Sequence, residues 1–139
     1  MSRKVFTIEP DATLEHLEEY MEAYGIRHLP VVEGHKLVGL ITRGDLLHAS
    51  SSFLSDRAQE RDAIIHKVAA SRIMQRELIT ANPNDRLTEV AVLMWEAKIG
   101  CVPVVEPEDR LVGIVTTADF LRLAHHFLVA GARPAGDQT

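Results

Sequence analysis

Apolar positions along the first third of the chain change their spacing three times. Val5, Phe6 and Ile8 form a short apolar run that stops before Pro10, which predicts a strand over residues 5–8. Leu14, Leu17, Met21 and Tyr24 then recur three and four residues apart, the spacing of one helical face. "HLPVVE" and "KLVGLIT" follow as two β-rich runs around a Gly-containing turn, the mark of a hairpin. "GDLLHA" returns to a helical pattern. The order is therefore strand, helix, strand, strand, helix.

The same order returns. At an offset of 73, Met1 meets Met74, Thr7 meets Thr80, Pro10 meets Pro83, Leu14 meets Leu87, Met21 meets Met94 and Ile26 meets Ile99. Pro30-Val31-Val32-Glu33 meets Pro103-Val104-Val105-Glu106. Beyond "GHK" and "PEDR" the offset becomes 74, and "LVGLITRGDLL" meets "LVGIVTTADFL". The extra residue falls in a turn between two strands, where an insertion costs little. The second strand run is expected over residues 78–81, and "ADFLRLAHHFL" continues as a helix. Neither copy is long enough to bury a good core alone, so the two halves are expected to pack face to face.

The polar stretch between the copies carries Ile64, Ile65 and Val68 on one stripe, which predicts a break near Ser51-Ser52 and a connecting helix over residues 56–70. The resulting division is a first motif over 1–49, a linker over 50–70, a second motif over 71–130 and a disordered tail over 131–139. "ASRI" precedes Met74, whereas nothing precedes Met1. Either the natural chain starts upstream, or the first half does without that lead-in.

Composition narrows the class. The 46% apolar content describes an ordinary globular chain. A formal net charge of −5 argues against broad nucleic-acid binding, which needs clustered cations. There is no bilayer-length apolar run, no signal-peptide pattern and no disulfide partner for Cys101, so a cytoplasmic location is expected by default. The seven His residues show no metal-ligand spacing, and no nucleophile–base arrangement can be assembled, so neither a metal site nor catalysis is expected. Cys101 reads as a small buried apolar residue, and Gly39 and Gly113 as points of close backbone approach in a sheet.

Thr42-x-x-Asp45 and Thr116-x-x-Asp119 each stand at a strand-to-helix junction. One reading is structural: a Thr N-cap and an acidic residue three positions on satisfy free backbone N–H groups. The other uses the same geometry for a nucleotide. The helix start and the Thr hydroxyl face a phosphate, and the carboxylate accepts from ribose hydroxyls.

Taken together, x-x-Pro-Val-Val, Leu-Val-Gly and Thr-x-x-Asp, in order and twice, resemble a pair of cystathionine β-synthase (CBS) domains, a Bateman module, over about nine-tenths of the chain. The resemblance implies an α+β fold of two βαββα halves stacked with pseudo-twofold symmetry, small mixed sheets covered by helices. It implies a non-catalytic regulatory module whose clefts take adenosine-containing ligands: AMP, ADP, ATP or S-adenosylmethionine. The alternative is a ligand-free pair used for oligomerisation or partner docking. The family pattern places a first site at Thr7, Ile8, Ile26, Arg27, His28, Pro30, Thr42, Arg43 and Asp45. It places a second at Thr80, Ala81, Ile99, Gly100, Cys101, Pro103, Thr116 and Asp119. Phosphorylated ligands are expected to favour the first, where Arg27, His28 and Arg43 supply positive charge against Gly100, Cys101 and Thr117 in the second.

The helix after Pro83 has Leu87, Val90 and Met94 as its core stripe. It also carries Val92, Leu93 and Trp95 where the first copy has Glu19, Tyr20 and Glu22. This extra apolar face, together with the family's habit of pairing through helices, predicts a homodimer, with an effector protein as a further partner and neither nucleic acid nor membrane.

Overall fold

The computed structural model of the chain describes residues 5–52 and 67–131. Helix α1, Leu14–Tyr24, starts at Thr13, whose side chain accepts from the His16 N–H at 3.3 Å. It ends at Gly25, which turns the chain at φ 62°. Strands β1, His28–Glu33, and β2, Lys36–Thr42, pair antiparallel with a bulge between Val31 and Val32. Helix α2 follows at once over Arg43–Ser52. The second half repeats this with α3 (Leu87–Ala97), β3 (Cys101–Glu106), β4 (Arg110–Thr116) and α4 (Thr117–Gly131), and its hairpin bulges at the matching place, between Val104 and Val105.

The strands order as β1-β2-β4-β3. The two hairpins pair at Lys36 and Arg110, where the Leu111 N–H also donates to the His35 carbonyl at 3.0 Å. Beyond that point β2 and β4 are not paired. Each half has its own core: Leu14, Leu17, Met21, Leu29, Ile41 and Leu46 in the first, Val90, Met94, Val102, Val104 and Val115 in the second. Leu40, Cys101 and Ile114 form a third cluster from strands of both halves, with Val5 and Leu78 packed on it. This is the α+β architecture of two stacked, pseudo-twofold halves.

Several local expectations are corrected. The strands expected over 5–8 and 78–81 shrink to single parallel bridges, Ile8 with Val31 and Ala81 with Val104. Pro10 and Pro83 follow closely and carry no N–H with which to lengthen a ladder. Helix α2 runs through Ser51 and Ser52, where a break was expected. Most of the helix expected over 56–70 lies outside the described residues, as does nearly all of the tail. Of its end, Lys67 is helical, Ala69 bridges to Thr13, and Ala70–Arg72 form a 3₁₀ turn. Backbone bonds to α1 and its lead-in redirect this segment: Leu14 N–H to Val68 O at 3.1 Å, and Ala70 N–H to Ala12 O at 2.7 Å. Tyr24 and Leu87, placed on core stripes by their spacing, are exposed.

Candidate ligand-binding site

Both Thr-x-x-Asp motifs close a reciprocal capping box. The Thr42 N–H donates to Asp45 Oδ2 at 2.9 Å, and the Asp45 N–H to Thr42 Oγ1 at 3.0 Å. In the second copy the same bonds are 2.9 and 3.4 Å, between Thr116 and Asp119. The structural reading of the motif is therefore realised twice. It does not displace the chemical one. Pinning Oδ2 to the helix start fixes the direction of the carboxylate and leaves Oδ1 free of the box.

A cavity of about 500 Å³ opens over the second box. That volume lies within the range of small-molecule sites. Its floor is Ile114 and Thr116 of β4, with Thr117, Ala118, Asp119, Leu121 and Arg122 from the start of α4. Its opposite wall comes from the other half: Val5, Phe6, Gly25, Ile26, Arg27 and His28. Phe6 is held there by the α1 aromatics, stacked on Tyr24 at 4.5 Å and edge-on to Tyr20 at 5.9 Å.

The cavity regroups the expected sets. Ile26, Arg27 and His28, grouped by sequence with Asp45, face Thr116 and Asp119 instead. Under the repeat, the matching cleft would join Ile99, Gly100 and Cys101 to Thr42, Arg43 and Asp45. In this cavity Arg27 and His28 face the second box across the boundary between halves, while His28 also stays within electrostatic reach of Asp45. Ile8, Pro30, Ala81, Cys101 and Pro103 are buried; Thr7 is half-buried and Thr80 exposed; none of these lines the cavity. Val5, Phe6, Ile114, Leu121 and Arg122 line it without having been expected. Two of them carry a usable signal: Ile114 lies on the Thr116 side of β4 by strand alternation, and Arg122 lies one helical turn beyond Asp119.

The wall is fastened to both helix starts. The Arg43 N–H donates to the Arg27 carbonyl at 2.8 Å, and the Thr117 N–H to the Gly100 carbonyl at 3.0 Å. His28 reaches across the boundary: a Cβ on Gly100 would lie 3.0 Å from its Nε2. A side chain at Gly100, the repeat partner of Arg27, would crowd the His28 ring. Burial first, then Arg27, pushes the His28 pKa below its usual value, against a smaller opposing pull from Asp45. Burial pushes the Cys101 thiol up to about 12. Asp119 Oδ1 accepts from Arg122 at 2.9 Å. Gly39, expected at a close backbone approach, is packed instead by the Met74 side chain. Among the described residues, no group of three or more His, Cys, Asp or Glu could hold a metal ion, and no helix is long and apolar enough to cross a membrane.

Two copies of one hairpin-and-helix unit, each with a boxed Asp, and a cleft shared across their boundary at the second box define a tandem architecture built for a ligand. The CBS domain family model matches residues 1–52 and 70–126, and the chain belongs to the CBS domain family. A CBS domain-containing protein of Dictyostelium discoideum is 37% identical over 127 residues, 88% of this chain and 86% of that one. Among solved structures, the CBS domain pair of protein MJ0100, in complex with 5′-methylthioadenosine and S-adenosyl-L-methionine, is 31% identical with a TM-score of 0.76, covering 91% of this chain and 92% of that one. Protein MJ1225 of Methanocaldococcus jannaschii is 34% identical with a TM-score of 0.75, over 89% of this chain. The chain spans 45% of that structure and 24% of a matching inosine-5′-monophosphate dehydrogenase of Korarchaeum cryptofilum.

Proposed function

We propose that the chain is a non-catalytic regulatory module that binds an adenosine-containing ligand in the Asp119 cleft and passes occupancy on through its own assembly and an effector protein. The observation that carries this reading is the union of Ile26–His28 with Thr116–Asp119 around one cavity of ligand size. Val5, Phe6 and Ile26 offer an apolar wall to a purine. Asp119 offers a fixed carboxylate to the ribose hydroxyls. Arg27 and Arg122 carry positive charge on opposite sides of the cleft, which suits a phosphorylated adenosine such as AMP, ADP or ATP. The adenosine ligands held by the MJ0100 pair support the same ligand class.

Thermal unfolding of the full chain with AMP, ADP, ATP and S-adenosylmethionine tests the reading. A ligand at 100 times its dissociation constant adds about 2.7 kcal/mol of stability. Stabilisation by the phosphorylated ligands supports the reading, and no response to any of the four sinks it. Turnover of a bound ligand would replace it with an enzyme.

Assembly follows from exposed apolar side chains on the second half: Val92 and Trp95 on α3, and Leu121, Phe127, Leu128 and Val129 on α4. The partner that fits is a second copy of this chain, laying the same helices against their equivalents.

A further inference from the structure

The two capping boxes match in geometry and differ in what faces the carboxylate. Gln75 Nε2 donates to Asp45, 2.9 Å from Oδ2 and 3.2 Å from Oδ1. Its backbone is paired to β2 in both directions: the Gln75 N–H donates to the Leu40 carbonyl at 2.8 Å, and the Leu40 N–H to the Gln75 carbonyl at 3.0 Å. The preceding residue, Met74, is buried against Gly39, where an added Cβ would meet its Sδ and lie 2.8 Å from its Cγ. The carboxamide is thus delivered to Asp45 by a backbone that cannot slide along the strand.

Building on the reading that a boxed Asp holds the ribose, we propose that Gln75 is a latch on the Asp45 cleft: it engages the carboxylate a ligand would need, so the chain takes one adenosine-type ligand, at Asp119, and gains a second site when the latch is released. A carboxamide NH₂ and a pair of ribose hydroxyls are both two-donor groups competing for the same lone pairs. Arg122 is no equivalent latch on Asp119. It lies on the same helix, touches Oδ1 alone, and its side chain is 75% exposed. Both contacts are solvent-exposed, so the difference lies in the anchoring of the donor and in its charge: the Arg122 cation can turn to a phosphate. Gln75 has no charge to offer one. The repeat sets Ser2 against Gln75, so the carboxamide belongs to one copy of the sequence only.

Gln75 is exposed, and Gln75→Ala removes the carboxamide without entering the core. Calorimetry with ADP on the full chain reads the outcome. Wild type binds one ADP per chain and Gln75→Ala binds two, the Asp45 cleft gaining about tenfold to a hundredfold in affinity. Asp119→Ala weakens binding about tenfold to a hundredfold, adding Gln75→Ala restores one tight site, and further adding Asp45→Ala weakens that site again. Two ADP per wild-type chain, or a stoichiometry unchanged by Gln75→Ala, overturns the latch and leaves the Asp119 reading standing. ADP bound by Gln75→Ala alone supports the latch and overturns that reading; ADP bound by neither protein overturns both.

Discussion

The two halves share a repeat but do not bury it to the same depth. Leu14 is 1% exposed, whereas Leu87, at the same repeat position, is 44% exposed. Leu46 and Ala49 of α2 enter the first core, while α4 has no buried residue. The cause is visible in the chain leading into the second half. Residues 68–74 cross the first half, tie α1 down by backbone bonds and add Ala70 and Met74 to its core. Among the described residues, nothing covers α3 in that way. Equivalent sequence therefore sets equivalent backbone, and burial is decided by what the rest of the chain lays on top. The half that is left open also carries more large apolar side chains to the surface, Val92, Trp95, Phe127 and Leu128 among them, against Tyr24 and Leu47 on the helices of the first.

Breaking the packing separates the halves most strongly. Leu14→Ala should cost about 2–5 kcal/mol in chemical denaturation, as large-to-small core changes do. Leu87→Ala should stay within about 0.5 kcal/mol, the usual surface range. Equal costs would mean that α3 is covered in solution. The clefts come next. Asp119→Ala should weaken ADP binding about tenfold to a hundredfold, the loss of a hydrogen bond to a charged group, and Asp45→Ala should barely change it. The reverse ranking would restore the grouping suggested by the sequence.

The surface offers a third contrast. Trp95 is 83% exposed and stands where the first half has Glu22. Trp95→Glu should weaken self-association at least about tenfold in sedimentation, and Glu22→Ala should leave it unchanged. A smaller effect concerns helix ends. Gly25 ends α1 in the left-handed region, and its repeat partner Lys98 ends α3 there at φ 56°, a conformation that favours glycine. Lys98→Gly should stabilise the chain by about 0.5 kcal/mol, the relief of that strain offset in part by the greater freedom of unfolded glycine. The smallest is His28. Its depressed pKa favours the neutral ring in the folded state, so its contribution is fully present above pH 6.5 and is lost as pH falls through the folded pKa. His28→Gln should flatten that part of the stability–pH curve.

Helices α1 and α3 and both hairpins were legible because their periods of 3.6 and 2 are local properties. Residues 5–8 looked like a strand for the same reason. Yet Val5 and Phe6 go to the cleft wall, a tertiary choice that alternation does not encode. The residue types at the candidate site were legible, but not their grouping. The repeat aligns Arg27 with Gly100 and Asp45 with Asp119, and so suggests one site per half. Which wall faces which Asp depends on the crossing of the hairpins beyond Lys36 and Arg110 and on the Leu40–Cys101–Ile114 packing, contacts between residues far apart in sequence. Gln75 had no signal at all. It belongs to no motif, and its role comes from where Met74 and Gly39 hold it.

Cys101 gives the molecule a built-in clock. It is the chain's one thiol, it is buried at the seam between the halves beside Leu40 and Ile114, and its pKa near 12 keeps it protonated at neutral pH. Only the thiolate reacts with alkylating reagents. The labelling rate at Cys101 therefore counts the moments when the seam parts, not the fraying of the outer helices. A ligand that clasps a wall from one half to an Asp from the other should slow that clock in proportion to how firmly it bridges them.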